Sequence, residues 1–412
     1  MLNHDLFDQE SDPVPVYRMY MPVIEQISND PHPINIWDIP YTIPQLSYLV
    51  HSDYRYYGKF PSVVAGQILD QIPRPTTEHY VLDNFCGSGT TLVEANLRGI
   101  KSFGTDISWL SVLASNVKSR SNNIENILIN LEKMVAWFEN NKNNFTAPND
   151  KFCEKWFSQH TARDLSAIQS YIKNLPFSDT RDFLLVAFIA IIRRVSKAFD
   201  GEVRPHINKD KKSRDVISAF SKKIRDMCNN HVEYSKHLKI GVEGRCILQD
   251  NTSISNTFND DLCYLVISHP PYLNSFNYAP VYSLEFYWGK VFETEYSQGS
   301  ISLYKDELKA HPANESITEK YFDHLKKCYQ ESFKMQPDGA YLAIVVGDCT
   351  RKGELIPVCS KVIDIVKHIG YSLIEENYRT THYGLGKYAY SHRADYHGDQ
   401  KEKRDGILIF KK

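Results

Sequence analysis

The chain has 412 residues, 42% of them hydrophobic and 24% charged, with a formal net charge of −2. These proportions fit a globular protein of one large or two medium domains, and they exclude a chain that holds nucleic acid by overall positive charge. The eight cysteines contain no Cys-x-x-Cys pair, which argues for reduced thiols in the cytoplasm and against a zinc site. No apolar run approaches the roughly 18 residues of a membrane span, and Met1–Asp5 lack a signal-peptide pattern.

Residues 1–54 are rich in Pro and Tyr with weak periodicity, and they read as an extended or irregular arm. The spacing Phe60, Val63, Val64, Ile68, Leu69, Ile72 predicts a helix, with Pro61 in its first turn. A strand over Tyr80–Asn84 then enters a Gly-rich turn, and a helix over Thr91–Arg98 stops at Gly99. A second strand, Lys101–Thr105, closes on Asp106 and completes a βαβ unit.

Residues 111–239 show no strand pattern. Leu131–Phe138, Leu165–Ile172 and Phe183–Val195 have helical periodicity, so this stretch reads as a largely helical insertion. Within it, Arg204–Arg225 is basic. Strands are expected again at Gly244–Leu248, Leu262–Ser268, Ala340–Val346, Tyr371–Glu375 and Gly406–Phe410, with helices at about 317–335 and 355–369. Alternating strands and helices over 55–110 and 240–412 predict an α/β fold with a doubly wound, mainly parallel sheet.

Two turns carry the chemistry. The first is Asp83-Asn84-Phe85-Cys86-Gly87-Ser88-Gly89-Thr90-Thr91. Glycines between a strand and a helix N-terminus let a ligand approach the backbone. A dinucleotide fingerprint lacks its third Gly here, and a phosphate-binding loop lacks its Lys-Ser/Thr pair. Asp106, at the tip of the next strand, is placed to hold ribose hydroxyls. The second turn is His269-Pro270-Pro271-Tyr272, after the strand Leu262–Ser268. Proline fixes φ and offers no N–H, so such a turn is stiff and its carbonyls are pre-aimed.

Together, in this order, the turns resemble the two signature motifs of the amino-methylating DNA methyltransferases, which make N6-methyladenine or N4-methylcytosine. The resemblance implies a Rossmann-like core that binds S-adenosylmethionine (SAM). It implies that Phe85, Cys86, Gly87, Ser88 and Gly89 line the methionine half, with Asp83, Thr90 and Ile107 beside them. Asp106 would take the ribose and Asp250 the adenine amino group, while Lys59-Phe60-Pro61 resembles the segment that closes over the cofactor. Asn84 departs from the usual Pro. A side chain at Gly89 is expected to obstruct the cofactor.

The resemblance also implies that His269, Pro270, Pro271 and Tyr272 are catalytic. An exocyclic amine is a poor nucleophile, and acceptors aimed at its N–H groups draw it toward tetrahedral geometry. The family norm at the first position is Asp, Asn or Ser. His269 departs from it, but a neutral imidazole still has one acceptor nitrogen, so activity should fall below about pH 6.5. Ser268 is a possible accessory acceptor. Tyr272 is expected to stack on a base that has left the duplex, a task a phenyl ring would also perform.

The sequel Asn274-Ser275-Phe276-Asn277-Tyr278 resembles methyltransferases with a Ser-Pro-Pro-Tyr turn, which favours cytosine N4 over adenine N6. The implied partners are double-stranded DNA and a cognate restriction endonuclease. Arg204, Lys211, Lys212 and Arg214 are expected to meet phosphates. Arg379–Arg404, with Tyr383, Lys387, Tyr390, His392, Arg393 and Tyr396, is a second candidate DNA surface. The other readings are an RNA or tRNA base methyltransferase, which shares both motifs, and a DNA-binding protein with a dead site.

Overall fold

The computed structural model describes residues 14–239, 241–258, 261–297, 307–381 and 405–412. Eleven strands occur among them: β1 (Val23–Ser28), β2 (Ile34–Ile39), β3 (Tyr80–Asp83), β4 (Lys101–Asp106), β5 (Arg245–Leu248), β6 (Cys263–Ser268), β7 (Tyr341–Gly347), β8 (Cys349–Arg351), β9 (Glu354–Ile356), β10 (Ser372–Thr381) and β11 (Asp405–Lys411). Nine form one sheet in the order β1-β2-β10-β11-β7-β6-β3-β4-β5, and β8 pairs with β9 apart. The β7-β6-β3-β4-β5 run is parallel throughout, whereas β11 lies antiparallel to both its neighbours. After β3 the chain winds outward to β4 and β5, then returns to add β6 on the other side of β3. Such a reversal opens a crevice beyond the carboxyl ends of the strands.

Successive strand residues point to opposite faces, and both faces of the central strands are covered. Val81, Leu265, Ala343 and Val345 pack with Val63, Val64 and Ile68 of helix Ser62–Gln71. Leu82, Val266, Leu342 and Ile344 pack with Tyr321 and Leu325 of helix Glu315–Met335 and Val358 and Val362 of helix Val358–Ile369.

The segment between β4 and β5 is helical, as expected. It contains Trp109–Ser119, Ile124–Asn141, Lys151–Trp156, Gln159–Lys173, Asp179–Val195 and Val216–Ser235. Each of these six helices starts on a Ser, Asn or Asp whose side chain accepts the N–H three residues on. Their apolar faces share a core that includes Met134, Leu165, Phe183, Ile192, Phe220 and Ile224.

Two expectations are corrected. Residues 1–54 are not merely an arm, because β1 and β2 form a hairpin and β2 pairs in parallel with β10. The strand Tyr371–Glu375 in fact runs on through Tyr378 and Arg379 to Thr381. For β2 and β10 the cause is shared. The buried positions include Asn35 and Asn377, which break the apolar alternation and satisfy each other by a 2.8 Å hydrogen bond.

Candidate active site

The Gly turn is fixed from behind. Asp83 ends β3, and its carboxylate accepts the Phe85 N–H at 3.0 Å and the Thr91 hydroxyl at 2.5 Å. Burial pushes its pKa up to about 6 against those two bonds. From helix Trp109–Ser119, the Ser115 hydroxyl donates to the Gly87 carbonyl at 2.9 Å and the Lys118 ammonium to the Ser88 carbonyl at 2.6 Å. Lys118 is fully buried, and burial lowers its pKa to about 8. The sequence reading missed Ser115 and Lys118; their signal is the helical spacing of Ser111, Ser115 and Lys118, a polar stripe along one face.

Gly87 and Gly89 both have positive φ, +51° and +77°, but they serve different neighbours. A Cβ on Gly87 would lie 2.9 Å from the Tyr56 ring, on the cleft side. One on Gly89 would lie 2.9 Å from Ser115, inside the protein. The expected obstruction of the cofactor by a side chain at Gly89 is therefore corrected: that glycine lets two helices approach.

The turn opens into a cleft of about 950 Å³, counting space open to solvent. Lys59, Phe60, Phe85, Cys86, Gly87, Ser88, Thr90, Asp106, Ile107 and Asp250 all line it. Asp83 and Gly89 do not; they hold the turn from outside. Asp106 accepts the Gly87 N–H at 2.9 Å and the Ser108 N–H at 2.8 Å, one on each oxygen. Burial pushes its pKa up to about 7. Asp250 accepts the Thr252 N–H at 2.8 Å and its hydroxyl at 2.7 Å, so it caps the turn Asn251–Asn256 while lining the cleft.

The sequence reading also missed an aromatic wall. Tyr56 stacks on Tyr278 and Tyr282 at ring separations of 5.5 and 5.6 Å. The segment bearing Tyr56, Lys59 and Phe60 is anchored by buried Glu94, which takes hydrogen bonds from Tyr48 (2.6 Å), His51 (2.7 Å) and Arg98 (2.6 Å). The Lys59 ammonium donates to the His51 carbonyl at 2.8 Å. Burial, then the Lys118 charge, hold its pKa well below the usual lysine range.

β6 lies parallel to β3, with Asp83 opposite Ile267, so the Pro-Pro-Tyr turn leaves the sheet beside the Gly turn. The His269 ring stacks on Phe60 at 4.9 Å and 20° and meets the Tyr272 ring edge-on at 5.3 Å. The Pro271 carbonyl accepts the Tyr321 hydroxyl at 2.9 Å. Ser268 is fully buried in β6 and lines neither cleft, which removes it as an accessory acceptor. A second cleft, about 1630 Å³ including open space, is lined by His269, Pro270, Tyr272, Phe276, Arg55 and Arg379. It shares Tyr56, Lys59, Phe60, His269 and Tyr278 with the first.

The four expected phosphate contacts divide. Lys211 donates to the carbonyls of Arg193 (2.9 Å) and Ala198 (2.6 Å) and to Asp200 (2.7 Å). Its ammonium is thus spent on the protein, and Lys211 staples its own loop. Half-buried Arg214 pairs with Asp200 at 2.9 Å. Arg204 and Lys212 are exposed. In the second candidate surface, Arg379 is buried, while Tyr383, Lys387, Tyr390, His392, Arg393 and Tyr396 lie outside the described residues.

A doubly wound sheet with a Gly turn on its first central strand, an acid on the next and a Pro-Pro-Tyr turn on the neighbour defines a Rossmann-like core. A family model described as DNA methylase, of the N6/N4 type, matches residues 20–116. The chain is 26% identical over 241 residues to the type II methyltransferase M.MvaI of Kocuria varians, covering 53% of each protein. It is 23% identical over 413 residues to the type II methyltransferase M.BsoBI of Geobacillus stearothermophilus, covering 79% of each. The matched region thus spans about half the length of the first relative and over three quarters of the second.

Solved structures similar to this one include a Thermus thermophilus protein assigned as a DNA modification methylase, complexed with S-adenosyl-L-methionine. It shows 18% identity over 40% of this chain and 53% of that one, with a TM-score of 0.25. The rRNA methyltransferase aviRa of Streptomyces viridochromogenes shows 10% identity over 86% of each chain, with a TM-score of 0.31. By the family model and both relatives, the chain is similar to amino-methylating (N6/N4) DNA methylases. Among the described residues, no helix is long and apolar enough to cross a membrane, and no His, Cys, Asp or Glu cluster suits a metal ion.

Proposed function

We propose that this protein is a site-specific DNA methyltransferase that moves a methyl group from SAM to the N4 amino group of a cytosine flipped out of double-stranded DNA. One observation carries the reading. The Gly turn and the Pro-Pro-Tyr turn leave adjacent parallel strands side by side, and each opens a cleft that shares Lys59, Phe60 and His269 with the other. A cofactor in the first and a base in the second would meet at His269.

The first cleft suits SAM. Gly87 lets the Tyr56 ring close against the turn, where a Cβ would lie 2.9 Å from it, and both residues line the cleft. The Ser88 hydroxyl, 3% exposed as a residue, is buried at the cleft without a partner. Each Asp106 oxygen takes one backbone N–H and keeps capacity for a ribose hydroxyl. Lys59 would face the methionine carboxylate and Asp250 the adenine. SAM, when bound, supplies an electrophilic methyl group.

The protein's own part is to prepare the nucleophile. Pro270 lines the base-side cleft, whereas Pro271 lines the other and its carbonyl already accepts from Tyr321, so the stiff Pro270 carbonyl is assigned to one amino N–H of the base. His269, braced by Phe60, accepts from the other through its ring nitrogen. The two acceptors localise the nitrogen lone pair toward the first cleft, and Tyr272 carries the base on its ring. Cytosine is preferred because Asn274–Tyr278 resemble the sequel of a Ser-Pro-Pro-Tyr turn. The exposed Arg204 and Lys212 would hold phosphates, and a restriction endonuclease cutting the same sequence is the expected partner.

Nucleoside mass spectrometry of DNA from cells expressing the protein tests this. N4-methylcytosine is expected. N6-methyladenine instead would change the base and keep the reaction; neither product would overturn the reading.

A further inference from the structure

The hydroxyl of Tyr272 is bonded to a buried ion pair that the reaction above does not use. Asp405 Oδ1 accepts it at 2.6 Å. The other oxygen of Asp405 accepts Arg379 Nε at 3.0 Å and Arg379 Nη2. Asp405 and Arg379 are each 5% exposed. The three residues are far apart in the chain and meet because β10, β11, β7 and β6 are consecutive neighbours in the sheet. Arg379 and Tyr272 both line the base-side cleft.

We propose that the Asp405–Arg379 pair is a positioning device for Tyr272, and that the phenol oxygen, not only the ring, is needed for efficient methyl transfer. The proposal rests on the function given above. A tyrosine ring moves by swinging about χ1 and by turning about its own axis. Bonding the para oxygen to a fixed carboxylate stops the swing but not the turn, because the axis passes through that oxygen. Gly347, the last residue of β7, restricts the turn: a Cβ there would lie 2.8 Å from Tyr272 Cε2, so the ring lies tight against the backbone. The His269 ring, edge-on at 5.3 Å and 70°, restricts it from another side.

Arg379 keeps Asp405 ionised and aimed. A carboxylate buried without that cation would favour its neutral form, and the hydrogen bond to the phenol would lose its charge assistance. The stacking plane for the base is thus set before the base arrives, at a fixed angle to the acceptor on His269. A ring free to swing would still stack, but the amino group would reach His269 and Pro270 in fewer of its poses.

The test uses the full chain, a duplex carrying its methylation site, and the variants Tyr272→Phe, Asp405→Asn and the double mutant. Each single variant should lower kcat roughly 10-fold, the loss expected for one charge-assisted hydrogen bond. SAM affinity by calorimetry should stay within about twofold, since neither residue lines the cofactor cleft. The double variant should be no slower than the slower single variant, because both remove the same contact. Arg379→Lys should recover part of the turnover lost in Arg379→Met. Full kcat in Tyr272→Phe, or multiplicative losses in the double variant, would overturn the proposal. So would a parallel fall of SAM affinity and kcat in Tyr272→Phe, which marks a merely structural bond. A wild-type chain that methylates no DNA would overturn the function itself, a result distinct from an active wild type with an unimpaired Tyr272→Phe.

Discussion

The two clefts share a wall but are built by different means. On the cofactor side, the contacts of each of three carboxylates include one only two residues on: Asp83 to Phe85, Asp106 to Ser108, Asp250 to Thr252. On the base side, they span the chain: Tyr272 to Asp405, Pro271 to Tyr321, His269 to Phe60. Backbone turns and one aromatic wall shape the first cleft, and the packing of remote side chains shapes the second. Substitutions in the first should therefore act on SAM binding, and those in the second on turnover.

The largest effect should fall at the shared point. His269→Ala should reduce turnover by roughly 10²- to 10³-fold, as for one lost transition-state hydrogen bond, with SAM affinity barely changed. A comparable loss of SAM affinity would place His269 on the cofactor side and blur the division. Next is Gly87→Val, whose side chain meets Tyr56 at a positive φ. SAM affinity should fall by about two orders of magnitude. By contrast, Gly89→Ala, whose Cβ meets Ser115, should act mainly on the melting temperature, by several degrees for a cost of about 1–2 kcal/mol. Equal effects on SAM binding at the two glycines would erase the distinction drawn between them.

Asp106→Asn should weaken SAM binding roughly 10-fold. Its pH signature is more specific. Burial raises the Asp106 pKa from 3.8 to about 7, so the folded protein holds its proton more tightly than the unfolded chain does. Stability of the ligand-free protein should thus fall as pH rises from about 4 to about 7, and this part of the slope should vanish in Asp106→Asn. SAM binding should strengthen across pH 7 if ionised Asp106 accepts the ribose. Calorimetry in buffers of differing ionisation enthalpy would show no proton release if it does not.

The smallest effect belongs to the basic loop. Arg204→Ala and Lys212→Ala should each lower the slope of log K for DNA against log salt by about 0.9. Lys211→Ala should instead lower thermal stability, since its ammonium holds the carbonyls of Arg193 and Ala198.

The sequence by itself determined the alternation of strands and helices, the helical stretch between β4 and β5, and the two turns with their chemistry. Each depends on contacts within a few residues: glycine's positive φ, proline's fixed φ, the periodicity of one buried face. Only the tertiary structure decided which groups point where. It placed the N-terminal hairpin on the sheet, turned Gly89 toward Ser115, tied Lys211 to its own loop and brought Lys118 beneath Ser88. It also joined Tyr272 to Asp405 and Arg379, more than 100 positions away along the chain. Such pairings are set by strand order. A polar residue buried by a remote partner carries no mark in its own neighbourhood, because what satisfies it arrives only when the sheet closes.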